Sequence, residues 1–150
     1  MTGEKVKKAY LAAAVAAAGI IGAIVLYTVV VEFLARTGNK PPLVPPAAYA
    51  AKYALYIAGL SALAALKLMT ARLGAKMPTP EDTVKALTTL AIVKAGLCEV
   101  PALAGLVMFL LTGFRADFYL LVVFSLALEV YHFPRLGQWE ERLRGDFGQL

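Results

Sequence analysis

Four apolar stretches, separated by short polar or proline-bearing connections, dominate the chain. Ala9–Val31 runs 23 residues without a charge behind the basic start MTGEKVKK. It is longer than the roughly 7–15-residue apolar region of a cleaved leader, so it reads as a retained signal-anchor helix. The second stretch, about 47–69, has only 14 charge-free residues between Lys52 and Lys67. It reaches spanning length when these two lysines snorkel to opposite interfaces, which makes Lys52 and Lys67 expected interfacial anchors. Ala86–Thr112 is apolar except for Lys94 and Glu99. Phe118–Phe133 is short, about 24 Å as a helix, and spans only a thinned bilayer or a crowded bundle.

The connections punctuate this pattern. GNKPPLVPP holds four prolines and cannot continue a helix or sit in hydrocarbon. RLGAKMPTPEDTVK carries Gly74, Pro78 and Pro80, and within it Thr79-Pro80-Glu81-Asp82 has the form of a helix start. Thr79 is the expected N-cap, Pro80 takes the first helical position and the acids fill the first turn. The third helix therefore starts outside the bilayer and is about 50 Å long. GFRAD is so short that it forces helices 3 and 4 to run antiparallel. The expected fold is all-α, a polytopic membrane protein with four transmembrane helices as two hairpins. It forms one integral membrane domain over 1–150, with helices at about 9–34, 47–70, 80–112 and 117–133. Three spans with a re-entrant fourth segment is the alternative.

The tail RLGQWEERLRGDFGQL spaces Leu136, Trp139, Leu143 and Phe147 on one stripe, opposite Glu140, Glu141, Arg142 and Arg144. Such a stripe predicts a short amphipathic C-terminal helix over 135–150, lying on the membrane interface with Trp139 as an anchor.

Composition fits a membrane domain: 60% hydrophobic and 17% charged residues leave too little polar surface for an ordinary soluble domain. The net charge of +5 raises nucleic acid as a partner, but the basic residues cluster at the ends of apolar segments. They read as topology signals instead, and no nucleic-acid binding is expected. Ten Lys/Arg flank one side (both ends of the chain and the 2–3 connection) against four on the other. Both termini are therefore expected in the cytoplasm, in an inner (plasma) membrane. A single cysteine, Cys98, excludes an intrachain disulfide and a Cys-based zinc cluster. One histidine excludes a bis-histidine haem held within one chain. No phosphate loop, nucleophile elbow or metal-ligand pair occurs, so no enzymatic activity and no cofactor is expected.

Glu99 is the candidate ion-binding residue, because it is the midpoint of Ala86–Thr112. A charge at the bilayer centre costs at least about 2.5–3.5 kcal/mol, so a proton, a partner or a water path must offset it. As a carrier, Glu99 is neutral facing lipid and ionised on a water path; as a structural residue, it holds the bundle together. Lys94, five residues away, lies about 140° round the helix and does not share its face, so it snorkels or meets another helix. Pro101 removes the backbone bond to Leu97 and is expected to kink the helix beside Glu99. Glu32, Glu129 and His132 fall near helix ends and are expected at solvated interfaces.

AAAVAAAGIIGA in helix 1, and Ala54, Ala58, Ala62 and Ala65 in helix 2, let helix backbones approach closely in lipid. Helix 2, the basic proline-bearing loop and helix 3 resemble the hairpin of the rotary ATPase proteolipid, subunit c. The match is strongest over Gly96-Leu97-Cys98-Glu99-Val100-Pro101-Ala102-Leu103-Ala104-Gly105-Leu106-Val107-Met108-Phe109-Leu110. Small residues, a carboxylate, a nearby proline and Gly-Leu-Val before an apolar run are similar to that family's second helix. The resemblance covers Ala54–Leu111, and helices 1 and 4 have no counterpart in the two-helix form. It implies ring formation and proton translocation through Glu99, with the lipid bilayer and a homo-oligomer or other membrane subunits as partners. The alternative is a non-transporting structural or accessory subunit of a membrane complex.

With Cys98 replaced, a cysteine at position 40 should be labelled from outside the cell and one at position 76 from the cytoplasm. Labelling on the reverse sides would overturn the topology.

Overall fold

The computed structural model describes residues 3–38, 40–73 and 78–148. Gly74 and Lys76 of the 2–3 connection lie outside the described residues. Five helices follow in order: α1 Gly3–Arg36, α2 Ala47–Leu73, α3 Pro80–Thr112, α4 Arg115–His132 and α5 Leu136–Phe147. No strand occurs among the described residues. Three helices are long and apolar enough to cross a membrane; a fourth span results if α4 and α5, bent by 44° at their junction, count as one.

The ends of α3 follow from local chemistry. The Thr79 hydroxyl accepts the Asp82 N–H at 3.1 Å, satisfying one of the donors left open at a helix start, and Pro80 needs none. At the other end Gly113 takes φ 75°, a left-handed conformation suited to glycine, and its N–H reaches the Phe109 carbonyl at 2.8 Å. Phe114 alone then separates this cap from α4.

α3 is the interior helix, with α1, α2 and α4 packed round it. Half of its spanning window is buried, against 17% for α1 and for α2. Two glycines set the closest approaches. A Cβ at Gly59 of α2 would lie 3.4 Å from Pro101 Cα and 3.5 Å from Ala104 Cβ. A Cβ at Gly105 of α3 would lie 3.1 Å from Leu121 Cβ and 3.3 Å from the Phe118 carbonyl oxygen on α4. Ile24, Val31, Ala102, Phe109, Phe118 and Val122 complete the core between α1, α3 and α4. The outward faces keep Leu26 and Phe33 of α1, Ile57 of α2 and Val123 of α4 more than half exposed. Apolar faces of this extent, on helices this long, suggest a membrane protein.

Polar contacts collect at the two ends. Where α1 ends and α4 begins, Arg115 and Tyr119 both donate to Glu32. Beside them Lys52 contacts both oxygens of Asp117 at 2.8 and 3.0 Å, and the Tyr56 hydroxyl donates to Asp117 at 2.8 Å. Lys52, expected as an interfacial anchor, is held in an interhelical ion pair with Asp117.

At the opposite end the structure corrects the reading of the tail. The stripe of α5 does not face an interface: Leu143 is fully buried against Val6 of α1 and Val84 of α3. Trp139, expected as a lipid anchor, is also buried, with its ring edge-on to Tyr10 at 6.0 Å. The bundle offers α5 an apolar seat, which costs less than exposing the top of α1 and α3 to water. Pro101 lies inside α3, which is continuous from Pro80 to Thr112.

A leucine at Gly105 must push α4 away, so Gly105→Leu should destabilise by about 1–3 kcal/mol. A Cβ at Gly96 meets nothing within 4 Å, so Gly96→Ala should be neutral or stabilise by up to about 1 kcal/mol. Thermal unfolding in detergent, followed by circular dichroism, compares the two; equal melting temperatures would refute this packing.

Candidate functional site

The midsection of the bundle holds a polar cluster on three helices. α1 brings Tyr27, whose hydroxyl donates to Glu99 Oε1 on α3 at 2.5 Å. Cys98, next to Glu99, turns inward and is fully buried. Its carbonyl accepts a hydrogen bond from the Ser125 hydroxyl of α4. His132, near the end of α4, points Nδ1 at the Leu128 carbonyl at 3.0 Å and lies 4.0 Å from the Cys98 sulfur.

Glu129 is the residue that sequence reasoning misplaced. Expected at a solvated helix end, it is 1% exposed, and its Oε2 has no hydrogen-bond partner. The signal was present as spacing: Ser125, Glu129 and His132 stand at i, i+4 and i+7, one face of a helix. What concealed it was the end of α4 at His132, since α5 and the N-terminal part of α1 extend the bundle past that point.

No ion pair joins Glu99 or Glu129 to a cation among the described residues. Lys94, one turn from Cys98, instead faces a cleft between α2 and α4 that Lys67, His132 and Arg135 also line. An uncompensated charge buried at Glu129 would cost on the order of several kcal/mol. The neutral acid is the form this site accommodates. Tyr27 meets Glu99, while Cys98 meets Ser125 and His132 of α4, with Glu129 on the same face of α4 and His132 lining the cleft. Pro101 lies two residues beyond Glu99, buried under Gly59 of α2, so it fixes the spacing of α2 from the site. Lys67 lines the cleft, Lys52 is paired at the far end and Trp139 of α5 packs on Tyr10 of α1, so none of these three joins the cluster. No group of three or more His, Cys, Asp or Glu among the described residues is placed to hold a metal ion.

Comparison of the chain with protein-family models, with curated proteins and with solved structures finds no match. The reading of the site therefore rests on its own chemistry.

The Tyr27–Glu99 hydrogen bond should show as a coupling of about 1 kcal/mol in a double-mutant cycle of Tyr27→Phe and Glu99→Ala. Unfolding in detergent measures it; strictly additive effects would mean that the bond contributes nothing.

Proposed function

We propose that this chain is a multi-pass membrane protein with four transmembrane helices in two hairpins, both termini cytoplasmic, that moves protons through Glu99 and Glu129. The observation that carries this reading is the pair of carboxylates inside an apolar bundle, without a cation to neutralise either among the described residues. Proton relays in membranes use chains of Asp, Glu and His. Here the path runs from Glu99 to Glu129, past the Cys98 thiol to His132, and out to the cleft on the cytoplasmic side. The proteolipid resemblance gives Glu99 the same role, with copies of the chain or other membrane subunits completing the path.

One observation favours the accessory reading. A carboxylate loaded from lipid or from a neighbouring subunit needs an open face, and Tyr27 of the same chain occupies the one toward α1. In that reading Glu99 and Tyr27 dock α1, and the protein is a non-transporting subunit.

Proteoliposomes carrying a trapped pH indicator separate the two. A carrier conducts protons under an imposed potential; Glu99→Gln abolishes that flux and Glu129→Gln lowers it at least about tenfold. Both variants keep their fold, because a neutral amide resembles the protonated acid. Dicyclohexylcarbodiimide, which attacks protonated carboxyls in apolar surroundings, should modify Glu99 and block flux. Unreactive Glu99 together with wild-type behaviour of Glu99→Gln would overturn the carrier role.

A further inference from the structure

The cleft between α2 and α4, floored by α3, has a volume of about 1120 Å³ and a marked polarity along its length. One end presents Lys67 of α2, Lys94 of α3 and Arg135 from the α4–α5 junction. No aspartate or glutamate lines the cleft, and none of these three cations has an ion-pair partner among the described residues. The other end is apolar: Leu60 and Leu63 lie one to two turns from Lys67, toward the middle of α2. Three cations along one cleft, with no acid in its walls, favour an anion from outside the chain.

We propose that this cleft binds an anionic phospholipid, with the phosphate held by Lys67, Lys94 and Arg135 and an acyl chain laid along Leu60 and Leu63. Depth supports this occupant over a soluble anion. Lys67 stands fifteen residues from Lys52 on α2, and His132 fifteen from Asp117 on α4. The basic level is thus about 22 Å from the Lys52–Asp117 ion pair. Across a hydrocarbon core of about 30 Å, these two levels fall near opposite boundaries, and the long basic stems carry their charges the remaining distance. A basic pocket between transmembrane helices at headgroup depth, on the side that the Lys/Arg bias makes cytoplasmic, suits an anionic lipid. This inference needs the membrane reading but not the proton path, so it can stand when Glu99→Gln has no effect on flux.

The test uses the full-length protein in phosphatidylcholine nanodiscs with and without phosphatidylglycerol, read by native mass spectrometry after release and by thermal unfolding. Phosphatidylglycerol should be retained and should raise the melting temperature, and phosphatidylcholine should be lost. Each of Lys67→Gln, Lys94→Gln and Arg135→Gln should weaken retention about fivefold. Lys67 and Arg135 are exposed, so their variants fold. Neutralising Lys5, Lys7 and Lys8 together controls for general surface charge and should leave retention unchanged. Equal retention of the two lipids, or equal losses from the control and the cleft variants, would overturn the proposal. Stabilisation by inorganic phosphate alone, to the extent given by phosphatidylglycerol, would assign the cleft to a soluble anion and overturn it as well.

Discussion

Close backbone approach to α3 is the constraint on which the rest of this structure depends. In lipid, apolar side chains gain little by leaving their surroundings for one another, so helices associate through van der Waals contact over small residues. Gly59 lets α2 lie against Pro101, and Gly105 lets α4 lie against α3 with Phe118 and Leu121 in direct contact. Because these approaches are tight, the polar groups between α3 and α4 are sealed from both water and lipid. The burial of Cys98, Ser125 and Glu129 is a consequence of that fit.

Polar groups in such a bundle must find partners inside the chain, and the two ends and the middle do so differently. At the end where α4 begins, opposite charges meet: Lys52 with Asp117 and Arg115 with Glu32. In the middle, neutral donors serve instead, Tyr27 to Glu99 and Ser125 to the Cys98 carbonyl. Glu129 is the exception, with one oxygen left open. Leaving a buried acceptor unmet costs on the order of 1–3 kcal/mol.

Much of the helical pattern was legible along the chain because its signals are local. Thr79, Pro80 and the acids behind them mark the start of α3, and Gly113 marks its end, whatever the rest of the protein does. The apolar runs likewise disclosed lipid-facing surfaces, since they need no tertiary partner to be recognised. The direction of the α5 stripe was not legible: Trp139 and Leu143 read equally well as facing a membrane or a protein, and only the presence of Val6 and Val84 decides. Glu129 was hidden as well, because its burial depends on how closely α4 packs on α3. Glu99 could be found by depth alone, while its partner Tyr27, 72 positions earlier, could not.

The single-residue joint between the Gly113 cap and α4 has a mechanical consequence. With the ends of α3 and α4 tied at Gly113, and their midsections locked through Gly105 and the Ser125 hydrogen bond, the two helices move as one body. α1 is different: most of its surface is exposed, and at the level of Glu99 its polar tie to that body is one tyrosine hydroxyl. Toward its end α1 is tied again, through Glu32, which accepts from Arg115 and Tyr119 of α4. Glu99 is half-buried on the side that Tyr27 meets, whereas Glu129 is sealed, so the two acids differ in access as well as in position.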